Sequence, residues 1–349
     1  MSPLPHLPTI ARTPNAVLSA RLQHLLDHKT KPLGSLGRLE SLALRIGLIQ
    51  QSETPQLLHP QVLVFAADHG LAARGISAFP SDVTWQMVEN FLVGGAAISV
   101  LARQHQLALT IVDAGVNHAF APRADLLNRK IGLGTADSLA GPAMTALQCA
   151  RAVEAGVEVV RNLPGNVVLL GEMGIGNTSS AAMLLARLAG IDIAACVGRG
   201  TGLDDAGLAR KLVVLRAVLD KHAAANAPLE ALAAFGGFEV AMMVGAALQA
   251  ASSRRVIVVD GFICGAAVLV ASKIEPALLD YCVFAHRSAE SGHARLLDHL
   301  ESEHLLDLDL RLGEGSGAAL AWPLIDSAVR LLVQMASFAS AGVSERDAV

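Results

Sequence analysis

The chain has 349 residues, of which 52% are hydrophobic, 17% charged and 3% aromatic, and its formal net charge is −4 at pH 7. This composition provides a large core and excludes a disordered chain, while the few aromatics and the lack of a basic tract argue against nucleic acid or an anionic membrane as partner. The four cysteines, Cys149, Cys196, Cys264 and Cys282, lack disulfide or zinc spacing, and residues 1–13 do not resemble a signal peptide. We therefore expect buried free thiols and a cytoplasmic protein.

Short apolar runs recur along the chain with helical patterns between them. The runs that predict strands are 62–67, 109–112, 167–170, 193–197, 256–259 and 281–284, and helical patterns include 82–104 and 208–225. Most runs are continuous rather than alternating, which is typical of parallel strands covered on both faces. The sequence predicts an α/β fold with an open, parallel, Rossmann-like sheet of about six strands flanked by helices. The very apolar stretch 256–272 fits a buried strand and helix better than a membrane span.

The two ends of the chain differ from the middle. Residues 14–50 and 316–342 show helical patterns, and neither segment has a strand partner. We expect residues 1–55 and 305–349 to form a small helical lobe beside a large α/β domain of residues 56–304.

Polar and glycine residues follow every predicted strand. The groups are ADHG at 67–70, DAGVNH at 113–118, GEMGIGNTSS at 171–180, GRGTGLDD at 198–205, DGF at 260–262 and AHRSAE at 285–290. Ligands bind at the carboxyl ends of strands in open α/β sheets, so we expect one shared crevice there.

The segment 171–180 is the most informative of these groups. A strand, a glycine turn and a helix start in that order make an anion site, and Glu172 adds an acid that a phosphate cradle does not need. The first hypothesis is therefore an enzyme that acts on a phosphorylated small molecule. Two alternatives stay open: a tight turn without a ligand, and an NAD site, although Ser179 stands where a third glycine is usual.

Two further glycine turns carry charged residues. Segment 198–205 is followed by Lys211, which makes a phosphate clamp plausible, although a solvated helix lysine is the simpler alternative. In the segment Gly313–Gly317, Glu314 lies between glycines. A carboxylate beside apolar walls has a raised pKa and can act as a general base, although an exposed turn glutamate fits equally well.

The residues His286, Ser288, Glu290 and His293 invite a metal or catalytic-triad interpretation. No metal-binding spacing or GxSxG segment accompanies them. We expect them to contact substrate or to fix the loop by hydrogen bonds, and we expect no metal site.

Taken in order, the motifs resemble the nicotinate-nucleotide–dimethylbenzimidazole phosphoribosyltransferases. The resemblance runs from about Lys31 to the C-terminal helix and rests on KPLGSLGRLE (31–40), ADHG (67–70), VTWQMVENFLVGGAAI (83–98), VDAGV (112–116), GEMGIGNTSSAA (171–182), GRGTGLDD (198–205), GGFE (236–239), AHRSAESGH (285–293) and LRLGEGSGAALA (310–321). Leu33, Ser291 and Ser316 depart from the usual family residues, but none of these changes removes a titratable group.

The resemblance implies transfer of phosphoribose from nicotinate mononucleotide to 5,6-dimethylbenzimidazole or a related base, with no cofactor. It implies Glu314 as catalytic base and Glu172 as a supporting carboxylate. For the nucleotide and its phosphate we expect Gly174, Gly176, Asn177, Thr178, Ser179, Gly200, Thr201, Gly202, Lys211 and Ser288. For the acceptor base we expect Ser77, Phe79, Gln86, Met87 and Leu312. A homodimer is expected, and a non-catalytic nucleotide- or benzimidazole-binding protein on the same scaffold is the runner-up.

Overall fold

A parallel β-sheet of seven strands runs through residues 5–200 and 202–344, the part of the chain that the computed structural model describes. The strands are β1 (Gln61–Ala67), β2 (Ala108–Gly115), β3 (Leu126–Asn128), β4 (Val167–Met173), β5 (Val256–Val259), β6 (Cys282–His286) and β7 (His304–Leu306). Every residue of β1 and β5 is buried, as the continuous apolar runs predict.

Helices lie between the strands and cover the sheet. They are α1 (Ala16–Asp27), α2 (Arg38–Gln50), α3 (Val83–Leu92), α4 (Ala97–Gln104), α5 (Ala146–Arg161), α6 (Asn177–Ala189), α7 (Ile193–Cys196), α8 (Asp205–Lys221), α9 (Pro228–Phe235), α10 (Phe238–Ser252), α11 (Phe262–Ile274), α12 (Ser291–His299), α13 (Ser316–Gln334) and α14 (Phe338–Ala341). The α/β fold with an open parallel sheet is therefore confirmed.

The order of the strands creates one crevice. Across the sheet they run β3-β2-β1-β4-β5-β6-β7, and each neighbouring pair is parallel. After β1 the chain continues to β2 on one side of the sheet, and after β4 it continues to β5 on the other side. The loops after β1 and β4 therefore diverge and open a cleft at the carboxyl ends of these two strands.

The predicted strand at 193–197 is wrong, because most of this run forms the short helix α7. The side chain of Asp192 accepts a hydrogen bond from the Ala194 amide and caps the helix. Ile193 and Cys196, three residues apart, are both buried on one face. A short apolar run with helix-favouring alanines in its middle is ambiguous by pattern alone.

The strands β3 and β7 are not indicated by the sequence pattern. Each has three residues and lies at an edge of the sheet. The helical pattern at 82–104 forms two helices, α3 and α4, separated by a glycine pair in which Gly94 has a φ of +82°. The stretch 256–272 is a strand and a helix, as expected, and the four cysteines are free and buried.

The terminal helices pack together and also against the sheet. Helix α1 packs on α2 and α2 packs on α13, while α13 also contacts β6 and β4. By length and composition, the segments Ser316–Gln334 and Val83–Gln104 are apolar enough to cross a membrane, and 56% and 33% of their most apolar windows are buried in the fold. The division into a lobe of 1–55 and 305–349 and a domain of 56–304 stays a prediction.

Helices α5 and α10 approach so closely that their contact depends on glycine. A Cβ at Gly156 would overlap the carbonyl oxygen of Met242, and one at Gly245 would overlap the carbonyl oxygen of Val153. Both obstacles are backbone atoms of the facing helix, so they cannot move without shifting that helix.

We predict that Gly245→Ala lowers the free energy of unfolding by about 1–3 kcal/mol, although alanine normally favours a helix. Urea denaturation measures this change. Gly141→Ala is the matched control, because nothing lies within 4 Å of a Cβ at that position. Equal stability of the two variants would show that the helices tolerate a wider separation.

Candidate active site

An open cavity lies at the carboxyl ends of β4, β5 and β6. Its walls come from the turn after β4, the residues after β5 and β6, and the segment 311–313. The predicted crevice is therefore found in part: residues after β4, β5 and β6 and Gly200 line the cavity, whereas the groups at 67–70 and 113–118 do not. Of the predicted site residues, those that line it are Glu172, Gly174, Asn177, Thr178, Gly200, Ser288 and Leu312.

Glu172 is near the end of β4 and is 5% exposed. Its Oε2 accepts a hydrogen bond from the Asn177 side-chain amide, and its Oε1 lies so close to Gly313 that a Cβ there would overlap it. Burial raises the pKa of Glu172 to about 8; the Asn177 hydrogen bond opposes this, and neighbouring carboxylates such as Asp260 and Glu314 reinforce it. Glu172 is therefore largely protonated at neutral pH.

Glu314 occupies a turn that only this glycine-rich sequence allows. Gly313, Glu314 and Gly315 have φ values of +85°, +66° and +87°, all in the left-handed region. The turn lies against β4, where a Cβ at Gly171 would be 2.5 Å from the Glu314 carbonyl oxygen. A non-glycine residue in this conformation is strained, and such residues cluster at functional sites.

The carboxyl group of Glu314 is buried beside the start of α4. Glu314 is 5% exposed, and its Oε2 accepts a hydrogen bond from the Ile98 amide at 3.4 Å. Burial raises the pKa of Glu314 to about 7, the Ile98 hydrogen bond opposes this rise, and the charge of Asp260 adds to it. The exposed-turn alternative is therefore wrong, and the group has the pKa that a general base needs near neutral pH.

Asp260, at the end of β5, anchors this turn and was not among the predicted site residues. Its Oδ2 accepts a hydrogen bond from the Gly315 amide at 3.2 Å, and its Oδ1 accepts one from the Ala318 amide at 2.9 Å. His286 Nε2 lies 3.6 Å from Oδ1. Burial raises the pKa of Asp260 to about 7, although the amides of the turn oppose this. The sequence places Asp260 at a strand end but does not reveal a partner more than 50 residues away.

Lys211 on α8 is a buried cation, so the solvated-lysine alternative is wrong. It is 1% exposed, and its Nζ donates to Thr178 Oγ1 at 3.0 Å and to the Gly198 carbonyl oxygen at 3.5 Å. Burial lowers its pKa to about 8, and the charge of Glu290 opposes this shift. Gly200 lies beside it, since a Cβ there would be 3.7 Å from Nζ. The two glycine turns thus converge on one ammonium group.

The loop after β6 is fixed by His293, as one of the sequence interpretations held. The Ser288 amide donates to His293 Nδ1 at 2.8 Å, and burial lowers the pKa of His293 to about 3, so this ring is neutral. Ser288 Oγ accepts from the Glu290 amide at 3.2 Å. Arg311 also lines the cavity, and its Nη1 donates to the Gly200 carbonyl oxygen at 3.4 Å. Sequence reasoning missed Arg311.

The predicted residues of the acceptor slot are only partly brought to the cavity. Leu312 lines it and is 58% exposed, whereas Ser77, Phe79, Gln86 and Met87 belong to a neighbouring segment that does not line it. That segment is attached to the site by Thr84, whose Oγ1 accepts a hydrogen bond from the Ile175 amide at 3.1 Å.

The remaining predicted nucleotide residues have other positions. Ser179 is buried behind the turn, and its amide donates to the Gly176 carbonyl oxygen at 3.0 Å. Gly176 and Gly202 have positive φ values but do not line the cavity, and Thr201 lies outside the described residues.

A buried ion pair supports the turn after β4 from behind. His69 Nε2 lies 2.7 Å from Glu239 Oε1, and its Nδ1 lies 3.2 Å from Ser180 Oγ. Burial disfavours the charged imidazole, but the carboxylates of Glu239 and Asp68 raise the pKa of His69 above its usual value. The ring contacts Gly174, because a Cβ there would be 3.3 Å from His69 Nε2. The motifs ADHG and GGFE contain His69 and Glu239, but the sequence does not reveal that these two residues pair.

Within residues 5–200 and 202–344, no group of three or more histidine, cysteine, aspartate or glutamate side chains is arranged to hold a metal ion.

Comparison with known proteins gives a consistent result. The family model DBI_PRT, described as "Phosphoribosyltransferase", matches residues 11–343. A protein of Variovorax paradoxus named nicotinate-nucleotide–dimethylbenzimidazole phosphoribosyltransferase is 69% identical, over 98% of this chain and 98% of its own length. A Dechloromonas aromatica protein with the same name is 57% identical, over 96% and 98%. The crystal structure of CobT from Thermus thermophilus superposes with a TM-score of 0.92 at 42% identity, over 95% of this chain and 100% of that one.

We predict that Asp260→Asn lowers the free energy of unfolding by about 1–3 kcal/mol, because one of the two backbone amides then faces an NH₂ group instead of an oxygen. Urea denaturation measures the loss. Asp192→Asn is the control, because Asp192 caps α7 with a single oxygen and asparagine caps equally well. Equal stability of the two variants would contradict an anchoring role for both Asp260 oxygens.

Proposed function

The chain belongs to the family of nicotinate-nucleotide–dimethylbenzimidazole phosphoribosyltransferases, and we infer that it transfers phosphoribose from nicotinate mononucleotide to 5,6-dimethylbenzimidazole. The products are α-ribazole 5′-phosphate and nicotinate, and the reaction builds the lower-ligand nucleotide of cobalamin. No observation favours the non-catalytic alternative.

The chemistry needs positioning and one proton acceptor. Nicotinate is joined to ribose through a pyridinium nitrogen, so the bond to the anomeric carbon is already activated and nicotinate leaves with a neutral ring nitrogen. One nitrogen of the benzimidazole attacks that carbon on the opposite face, while the other nitrogen loses its proton. Attack opposite the leaving group converts a β-nucleotide into an α-nucleotide, and holding both reactants in line supplies much of the rate.

Glu314 takes the benzimidazole proton. The observation that carries this assignment is a buried carboxyl group with a pKa of about 7, held on a left-handed turn next to the cavity. Glu172, whose Oε1 lies against Gly313 in the turn that carries Glu314, is the supporting carboxylate for the ribosyl centre. A bound pyridinium ring favours its ionised form, because a nearby positive charge lowers a carboxyl pKa.

The 5′-phosphate binds where the two glycine turns meet Lys211. Backbone amides of glycine turns and the first turn of α6 favour an anion, and a lysine with a pKa of about 8 is mostly charged at neutral pH. The residues of this subsite are Gly174, Gly176, Asn177, Thr178, Ser179, Gly200, Thr201, Gly202, Lys211 and Ser288.

The acceptor base binds beside Leu312. Ser77, Phe79, Gln86 and Met87 form the rest of its slot, and the hydrogen bond between Thr84 and Ile175 supports this by attaching their segment to the site. Phe79 is 50% exposed, which leaves its ring available to an aromatic ligand.

We also propose a cytoplasmic homodimer. Leu33, Val93 and Leu133 are large apolar side chains that are exposed in the single chain, and a second copy would cover such residues.

We predict that Glu314→Gln lowers turnover by at least about 100-fold, because the amide keeps the shape of the side chain but accepts no proton. Turnover is measured by chromatography as the release of nicotinate from nicotinate mononucleotide in the presence of 5,6-dimethylbenzimidazole. Glu301→Gln is the matched control: Glu301 also has a left-handed φ, of +48°, but lies outside the cavity. Unchanged turnover in Glu314→Gln would show that another group takes the proton.

We predict that kcat at saturating substrates falls about tenfold per pH unit below a midpoint at or below about 7, because the bound pyridinium ring lowers the pKa of a nearby carboxyl group. The base acts only when ionised, and burial has raised its pKa to about 7, so acid removes the active form. Saturation with both substrates keeps protonation of the free acceptor out of the profile. The assignment fails if the residual activity of Glu314→Gln shows the same acidic limb.

A further inference from the structure

Glu290 is a buried carboxylate at the cavity wall that the mechanism above does not use. It is 7% exposed and lines the same cavity as Glu172 and Gly200. Its Oε2 accepts no hydrogen bond from any residue that the structure describes. Glu290 is the N-cap residue of α12, but its side chain makes no capping hydrogen bond. The Glu290 carboxylate therefore does not cap α12.

Neighbouring cations do not satisfy this carboxylate directly. Lys211 donates to Thr178 and to the Gly198 carbonyl oxygen, and Arg311 donates to the Gly200 carbonyl oxygen. Burial raises the pKa of Glu290, while the charges of Lys211 and Arg311 and the Gly200 amide lower it. A buried acceptor without a donor is unfavourable, so we expect a bound molecule to donate a hydrogen bond to this oxygen.

Gly198, which does not itself line the cavity, leaves room for the Glu290 side chain. A Cβ at Gly198 would overlap Glu290 Oε2, so only glycine at this position leaves room for the carboxylate. One end of Glu290 thus lies between the glycine turn at 198–202 and the loop after β6.

Nicotinate mononucleotide offers few hydrogen-bond donors, and this step rests on the proposed function. At neutral pH its phosphate and carboxylate only accept, and its pyridinium nitrogen carries no hydrogen. Its only donors are the 2′- and 3′-hydroxyl groups of the ribose.

Three of the four carboxylates near the cavity accept at least one hydrogen bond through a side-chain oxygen. Both oxygens of Asp260 accept backbone amides, Glu172 accepts from Asn177, and Glu314 accepts from Ile98. Glu290 is the one with a buried oxygen that accepts nothing in the described part of the chain. We propose that Glu290 accepts a hydrogen bond from a ribose hydroxyl group and thereby makes the enzyme specific for ribonucleotides.

The test compares nicotinate mononucleotide with its 2′-deoxy and 3′-deoxy analogues in wild type, Glu290→Ala and Glu290→Gln. A hydrogen bond to a charged group corresponds to about 10- to 100-fold in kcat/KM, so wild type should disfavour one analogue by that factor. In Glu290→Ala, kcat/KM should fall by this factor for the ribonucleotide but not for that analogue. The ratio of kcat/KM for the ribonucleotide to kcat/KM for the analogue should therefore fall to about one. Glu290→Gln, which keeps one acceptor oxygen, should give an intermediate ratio.

Two further variants keep the test decisive. Gly198→Ala displaces the carboxylate without removing it and should shift the ratio in the same direction as Glu290→Ala. Glu40→Gln removes a buried carboxylate that is paired with Lys31 at 2.8 Å and does not line the cavity, so the ratio should stay at the wild-type value.

Equal losses with all three nucleotides in Glu290→Ala would overturn the proposal, because the carboxylate would then act on the phosphate through Lys211 and Arg311. A wild type that does not discriminate among the nucleotides would overturn it too. Calorimetric binding of the same nucleotides without an acceptor base gives the ratio independently of turnover. A wild type that binds and discriminates but releases no nicotinate would reject the transferase activity and leave the role of Glu290 supported.

Discussion

The hydrogen bonds between the Asp260 carboxylate and the amides of Gly315 and Ala318 are the constraint on which the site depends. They join the end of β5 to the first turn of α13. With α13 held there, the chain before it must turn sharply, and it does so through three consecutive left-handed residues. Glu314 is the middle one, and its carboxyl group is buried beside α4. The position of the proposed base thus follows from a contact made by the next residue in the chain.

Charge is distributed unevenly along the cavity. Glu172, Asp260 and Glu314 lie at one end, and burial raises all three pKa values, with mutual repulsion adding to the rise for Glu172 and Glu314. Lys211 and Arg311 lie around Gly200, where their positive charges also act on the Glu290 carboxylate. A nucleotide with a positive pyridinium ring and a negative phosphate matches this arrangement, because each charged group meets its opposite.

The sheet and the glycine turns could be predicted because their signals are local. Continuous apolar runs mark β1, β4 and β5, and the glycines on both sides of Glu314 mark a tight turn. Three-residue edge strands and the short helix α7 carry too little pattern to be identified. The sequence could not decide whether Lys211 and Glu314 are buried, since burial depends on which elements pack over them. Asp260, Arg311 and the His69–Glu239 pair were missed as site residues because their partners are 55 to 170 residues away.

The most direct test of the account is incubation of the wild-type chain with nicotinate mononucleotide and 5,6-dimethylbenzimidazole, followed by mass analysis of the products. The account predicts equal amounts of nicotinate and α-ribazole 5′-phosphate, formed only when both substrates are present. Failure to release nicotinate with 5,6-dimethylbenzimidazole or with any related benzimidazole, purine or phenol would contradict it.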